Sequence, residues 1–291
     1  METVGLIGAG LLGSALARRI LGAGFELHAY DPAPSAQHQL REIGAQVEDS
    51  AAAVARTSCT VVLCLPTTDI VNDVVAQIED SLIAGTIVVD STTGDPNSTR
   101  QLSRRLQVRD VTLIDVSVLG SSAVTSAGEA LLLVGADRKT AGPVESLLAA
   151  VSSDVHFLGA VGAGQEMKLV ANLVLGLNRA VLAEGLHFAE GFGLDSNSVL
   201  NVLRAGAAYS RVMDAKGRKM IEREFEPQAR LSQHLKDVRM ILDLGEEKAR
   251  WLPLSLLHQE ILESAQQFGA AELDNSAVIE AWNRKSGASD K

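Results

Sequence analysis

Residues 3–24, TVGLIGAGLLGSALARRILGAG, decide the fold. Thr3 to Gly8 is a short apolar run suited to a strand buried on both faces of a parallel sheet. It enters Gly8-Ala9-Gly10-Leu11-Leu12-Gly13, a G-x-G-x-x-G. Apolar residues at helical spacing follow, and Gly22 and Gly24 end the helix. In a strand–turn–helix setting each glycine has a task. The first allows the tight turn, the second lets a pyrophosphate approach the backbone, and the third lets helix and strand pack closely. The phosphates then rest on the helix N-terminus. A glycine-rich structural turn is the bland alternative, and the flanking strand and helix weigh against it. Gly8, Ala9, Gly10, Leu11, Leu12 and Gly13 are expected to hold a dinucleotide.

Outward from this stretch the alternation continues. Phe25 to Tyr30 reads as the second strand, ended by Asp31. An acid about 20 residues beyond the glycine motif is placed to bind the adenosine ribose hydroxyls, and its charge would repel a 2′-phosphate. Residues 32–36 contain no Arg or Lys to hold one, so NAD is expected over NADP. Cys59–Leu65, Thr86–Asp90, Val111–Asp115, Glu129–Gly135 and Asp154–Leu158 read as further strands, with helices between them, one from about 139 to 150. Ligands of open α/β sheets bind at the carboxyl ends of strands. Leu65 and Pro66, Ser91 to Thr93, and Ser117 to Ser122 fall on that edge.

After about residue 160 nearly everything reads as helix: about 163–191, 196–205, 228–247, 253–268 and 275–284. Asp195 or Ser196 and Asp274 suit N-caps, and Pro253 suits a first turn. Within GAGQEMKLVAN, residues 162–172, Lys168 and Asn172 lie four apart and share one helix face amid apolar residues. Such a pair is costly to bury without a purpose, although a solvated polar stripe is the common case. His187, His234 and His258 read as ordinary surface or satisfied core histidines.

The 291 residues suggest two domains, 1–161 and 162–291, joined by a long helix starting near 163. The chain is 46% hydrophobic with a net charge of −10, and aromatics are 3%. That composition suits a soluble globular protein and argues against nucleic acid or an anionic membrane as partner. Cys59 and Cys64 give no disulfide framework, and no metal-ligand spacing occurs, so no metal is expected. The N-terminus has no signal-type pattern and the apolar stretches read as too short to span a membrane, so a cytoplasmic setting is expected.

The chain resembles the β-hydroxyacid dehydrogenase family over almost its whole length. This group includes 3-hydroxyisobutyrate dehydrogenases, tartronate semialdehyde reductases and glyoxylate/succinic semialdehyde reductases. GLIGAGLLGSALA is similar to its opening motif, LCLPTT to its Leu-Pro turn, and DSTTGDP to its Ser-Thr-x-x-Pro segment. GAGQEMKLVAN resembles the signature G-x-G-x-x-x-K-x-x-x-N, HLKD its Lys-Asp pair, and AELDNSAVIE its C-terminal segment. The resemblance implies a Rossmann-type domain followed by an all-helical domain, as in 6-phosphogluconate dehydrogenase, with a site in the cleft between them. It implies catalytic roles for Lys168 and Asn172, cofactor contacts from Leu65, Pro66, Thr93 and Lys236, and a substrate loop at Leu119, Gly120, Ser121 and Ser122. The implied reaction is hydride transfer between NAD and a small 3-hydroxy acid or its semialdehyde; separately, the large apolar helices of the second half suggest a homodimer or homotetramer. Three departures stand out: Leu119 replaces the usual serine of the loop, Ser121 replaces its second glycine, and Ala171 stands where many members have the first of two asparagines. Imine reductases resemble the family but usually lack the lysine. A non-catalytic NAD-binding relative is the other alternative, against which Lys168 and Asn172 weigh.

Overall fold

A computed structural model describes residues 2–283. The chain divides into two compact units, Met1–Lys168 and Leu169–Lys291. The first contains β1 (Thr3–Ile7), α1 (Leu11–Gly22), β2 (Glu26–Tyr30), α2 (Pro34–Glu42), β3 (Gln46–Val47), α3 (Ala51–Thr57), β4 (Thr60–Leu63) and α4 (Thr68–Ile78). It continues with β5 (Ile87–Asp90), α5 (Pro96–Gln107), β6 (Thr112–Leu119), α6 (Ser122–Ser126), β7 (Leu131–Gly135), α7 (Arg138–Ala141), α8 (Glu145–Val151) and β8 (Asp154–Phe157).

The eight strands form one sheet in the order β3-β2-β1-β4-β5-β6-β7-β8. Every pairing is parallel except β6 with β7. Both faces are covered, which is why the strands read as unbroken apolar runs. Successive side chains point to opposite faces. Leu6, Val62, Val89 and Ile114 join one buried cluster with Leu16 and Ile20 of α1. Their neighbours Ile7, Val61, Val88 and Leu113 join the other with Val71, Val75, Leu102 and Leu106.

The structure departs from the sequence expectation in identifiable places. Between Asp31 and Cys59 it adds α2, β3 and α3. Their signal is weak because α2 buries only Leu40 and β3 is two residues long. β6 does not stop at Asp115 but runs to Leu119, because β7 pairs antiparallel with it from Asp115↔Gly135 to Leu119↔Leu131. The single helix expected near 139–150 is broken into α7 and α8 by a 3₁₀ turn at Gly142–Val144, where Pro143 has no N–H to donate.

Helix α9 (Ala163–Glu190) runs from the first unit into the second. The second unit then adds α10 (Ser196–Ala205), α11 (Arg211–Glu222), α12 (Leu231–Glu247), α13 (Pro253–Ala265) and α14 (Glu280–Asn283). Asp195 caps α10 by accepting from the Ser198 N–H at 2.8 Å, as its position in the sequence suggested. α11 was not anticipated. The helix expected over 253–268 gives way after Ala265 to a distorted turn in which Gly269 has φ +89°. The helix expected over 275–284 is a 3₁₀ turn, Asn275–Ile279, followed by α14; residue 284 lies outside the described residues. The core of this unit gathers Leu182 and Leu186 of α9 with Leu200, Met220, Leu235, Val238, Leu262 and Val278. Contrary to the expectation from sequence, α9 is long and apolar enough to cross a membrane by length and composition alone, with 44% of its apolar window buried inside the protein.

Candidate active site

The glycine turn after β1 is shaped by close packing at two of its three glycines. Gly8 has φ +99°, and a Cβ there would overlap the Cys64 carbonyl oxygen and lie 3.0 Å from Leu65 Cδ2. A Cβ on Gly13 would overlap the Gly8 carbonyl oxygen. Gly10 differs, because a Cβ there would meet nothing within 4 Å. Among the described residues nothing fills the space beside Gly10, which leaves its backbone open to an approaching group. Gly10 is also the N-cap of α1. It offers no side-chain acceptor, and no acid stands in the first turn. The leading N–H groups of α1 are thus available to an external anion at the positive end of a helix dipole. These residues fit a dinucleotide pyrophosphate.

Asp31 closes this turn from the end of β2. It accepts from the Ala9 N–H at 2.8 Å and from the Ala33 N–H at 2.9 Å, which fixes its carboxylate beside the glycine loop. Farther along the strand-end edge, the Leu65 N–H donates to the Thr92 hydroxyl at 3.1 Å, tying the turn after β4 to the turn after β5. Pro66 and Thr93 continue those two turns. Burial first, and the nearby Asp90 carboxyl second, push the Cys64 thiol up to about 12.

Leu119 is the last residue of β6 and is half-buried, and Gly120 follows it exposed. The Ser121 hydroxyl caps α6 by accepting from the Val124 N–H at 3.3 Å, and Ser122 opens that helix. Lys168, half-buried, comes to the same edge: its ammonium donates to the Val118 carbonyl at 2.7 Å. The expected lysine and the expected substrate loop therefore meet at the end of β6.

In the second unit, Asn172 is buried and its amide donates to Asp237 Oδ2 at 2.8 Å. The other oxygen of Asp237 pairs with Lys236 Nζ at 3.2 Å. Asp237 thus joins two expected site residues, yet it was not itself among the residues singled out from sequence. Its only signal there is an acid directly after Lys236 in HLKD.

Three further residues escaped the sequence reading. Asp90 and Asp115, register partners on β5 and β6, are both fully buried, and Gln165 of α9 touches both. Burial pushes the Asp90 carboxyl up to about 7 against the pull of Thr92 and Gln165, and Asp115 adds repulsion. Burial likewise raises Asp115, opposed by the N–H groups of Gly162 and Gln165. Among the described residues no group of three or more His, Cys, Asp or Glu side chains is placed to hold a metal.

Residues 3–159 match the family described as the NAD binding domain of 6-phosphogluconate dehydrogenase. Residues 162–282 match the NAD-binding domain of NADP-dependent 3-hydroxyisobutyrate dehydrogenase. The chain is 28% identical to 2-(hydroxymethyl)glutarate dehydrogenase of Eubacterium barkeri, over 98% of this chain and 96% of that protein. It is 27% identical to 2-hydroxy-3-oxopropionate reductase of Escherichia coli K12, over 96% of each. The solved structure of a 3-hydroxyisobutyrate dehydrogenase from Salmonella typhimurium superposes with a TM-score of 0.90 at 23% identity, covering 97% of this chain and 100% of that one. With a cofactor turn of the right build at one end of the Rossmann sheet and both family domains matched in order, the chain belongs to the NAD(P)-binding β-hydroxyacid dehydrogenase/reductase family and is a hydride-transferring oxidoreductase.

Proposed function

We propose that Lys168 is the proton-transfer group in a reversible hydride transfer between NAD and a small 3-hydroxy acid or its semialdehyde. The observation that carries this reading is the 2.7 Å bond from Lys168 to the Val118 carbonyl, which holds a cation at the end of β6 beside the turn from Leu119 to Ser122. Bound NAD would supply the carbon that accepts or gives the hydride. Lys168 takes the hydroxyl proton toward aldehyde and returns it toward alcohol. Asn172, one turn along the helix, is held by Asp237 and orients the substrate oxygen. Backbone N–H groups of Gly120 to Ser122 receive the carboxylate. Lys236, paired with Asp237, adds positive charge for cofactor and substrate. Residues 1–161 serve as the dinucleotide domain and 162–291 as the substrate and association domain.

The substrate class follows from chemistry the two relatives share. 2-(Hydroxymethyl)glutarate and 2-hydroxy-3-oxopropionate each carry a carboxylate one carbon away from the carbon that changes oxidation state. Leu119, where the family loop has serine, favours an alkyl or longer substituent. Asp31, held by the Ala9 and Ala33 N–H groups, supports NAD over NADP, because its carboxylate would repel a 2′-phosphate. Two unpaired cysteines fit a reducing, cytoplasmic compartment. Val170, Val174, Val181 and Phe188 form an exposed apolar stripe on α9, so we propose that the protein is a homo-oligomer. Sedimentation equilibrium showing only monomer at micromolar concentration would contradict that.

The decisive test is Lys168→Ala with NADH and a panel of small semialdehydes. The variant should fold and bind NAD while kcat falls at least about 10²-fold. Lys168→Arg should fail to restore the rate, since a guanidinium does not cycle its proton. A folded, NAD-binding Lys168→Ala with near-normal kcat refutes the assignment.

A further inference from the structure

Helix α9 begins against the middle of β6, and the contact is built around one carboxylate. Asp115 Oδ1 accepts from the Gly162 N–H at 2.6 Å, and Oδ2 accepts from the Gln165 N–H at 2.8 Å. The Gly162 N–H lies just before α9 and the Gln165 N–H in its first turn, where a helix has no carbonyl of its own to offer. Two glycines clear the space. A Cβ on Gly135, the register partner of Asp115 on β7, would overlap the Asp115 carboxyl. A Cβ on Gly164 would stand 2.8 Å from Asp115 Oδ2. Gln165 adds a second tether, its side-chain N–H₂ donating to Asp90 Oδ2 and to the Thr92 carbonyl, both at 3.3 Å.

A helix cap alone does not call for this arrangement. A serine or asparagine caps a helix without burying a charge. A carboxylate with one oxygen on each of two N–H groups fixes the helix at two points and so sets its rotation about its own axis. Three residues along the same strand, the Val118 carbonyl receives the Lys168 ammonium. One strand therefore holds both the start of the helix and the tip of the lysine that the helix carries. A rotation of about 20° would carry a side-chain tip roughly 2 Å, given the ~10–12 Å diameter of a helix with its side chains. Displacements of about 1 Å are enough to reduce a well-oriented reaction ~10²-fold.

We propose that Asp115 and Gln165 are positioning residues for Lys168, setting the rotation of α9 that aims the ammonium at the end of β6. The proposal rests on the reading of Lys168 as the proton-transfer group. Its test therefore includes a measurement independent of turnover.

Three variants of the full-length protein serve: Asp115→Asn, Gln165→Met and Lys168→Ala. Each is assayed for NAD affinity, for kcat with NADH and a semialdehyde, and for folding by circular dichroism. The reductive methylation rate of Lys168 by formaldehyde and cyanoborohydride is read by peptide mass spectrometry against Lys139 as internal standard in all but Lys168→Ala. Asp115→Asn should keep NAD affinity within about threefold, lose kcat at least about 30-fold, and methylate Lys168 several-fold faster as the ammonium leaves the Val118 carbonyl. Gln165→Met leaves the carboxylate and the cap in place, so it reports even if Asp115→Asn does not fold. It should show the same pattern with a kcat loss of about tenfold. An unchanged Lys168 methylation rate in a folded variant overturns the proposal whatever happens to kcat. Changed methylation together with an active Lys168→Ala refutes the role of Lys168, and the positioning role falls with it.

Discussion

The glycine motif allows fold and ligand requirements to be separated by two substitutions three residues apart. Gly13→Ala places a methyl against the Gly8 carbonyl oxygen, a backbone atom that cannot swing aside. Overpacking of this kind costs about 1–3 kcal/mol, and the upper end applies where backbone must move. For a unit of this size that lowers the melting temperature by roughly 6–12 °C. Gly10→Ala places its methyl where nothing lies within 4 Å, on a backbone at φ −65°, ψ −163° that alanine adopts without strain. The loss of a favourable N-cap residue and the lower entropy of the unfolded chain nearly cancel, leaving about 0.5 kcal/mol or less. The same methyl stands where a pyrophosphate would reach the α1 N–H groups. NAD affinity should fall at least about 30-fold, or ~2 kcal/mol. Thermal melts without nucleotide and calorimetric NAD titrations measure the two effects on one set of samples. A Gly10→Ala protein that binds NAD as tightly as the parent would refute the reasoning, since the open space beside Gly10 would then be unused.

Steady-state kinetics with both cofactors should favour NADH, and Asp31→Ser should narrow the gap; equal efficiency of the parent with NADPH removes the role given to the Asp31 carboxylate. Leu119 should make the protein a poor reductase of tartronate semialdehyde and a better one of alkyl-bearing or longer semialdehydes, with Leu119→Ser shifting the preference back; a parent that already prefers tartronate semialdehyde and a serine that changes nothing would reject this. His258 should make the helical unit acid-sensitive, because burial first and the Arg179 charge second push its imidazole down to about 4 from 6.5. Folded and unfolded forms are both neutral above that window, and between about 6.5 and 4 only the unfolded chain takes the proton, so unfolding free energy falls by roughly 3 kcal/mol as pH drops. Urea denaturation of the parent and His258→Gln at pH 7.5 and 4.5 should show a shallower loss in the variant, and equal losses would assign the acid sensitivity elsewhere.

Much of the first unit was legible because its signals are local and repeat. A strand buried on both faces must be apolar throughout, so β1, β4, β5 and β7 announce themselves. Asp31 is legible by its distance from the glycine motif. Lys168 is legible because an ammonium amid Leu169, Val170 and Ala171 is an anomaly, although its partner, the Val118 carbonyl, carries no sequence signal at all. The extension of β6 to Leu119 was hidden for a related reason. Its second half depends on β7, a strand that arrives later in the chain and pairs in the opposite sense. Leu119, read from the sequence as part of a loop, is thereby the last residue of a strand.

The polar interior of the second unit follows a harder logic. Asn172, Gly176 and Arg179 fall on one face of α9. In the sequence Gly176 is only a weak point in an apolar helix, worth about 1 kcal/mol against alanine. In the structure a Cβ there would stand 2.5 Å from His258 Cε1 and overlap the His234 ring, so the missing side chain makes room for two imidazoles whose centroids are 5.2 Å apart. Arg179 is buried with them. Burial draws its guanidinium down to about 10 against the opposing pull of Asp274 and Asp237. Asp274 in turn is held at about 2: burial works against its charge, and the Lys216 ammonium at 2.8 Å and the Gln228 N–H at 2.9 Å overcome it. Asn172, Gly176 and Arg179 are locally unfavourable where they stand in an apolar helix, as Asp115 is in the middle of a strand. A local defect of that kind signals that a distant partner compensates it, because a stable fold does not keep uncompensated ones. It cannot say which partner. That choice lies among residues dozens of positions away whose own patterns are unremarkable, and only the packed chain makes it.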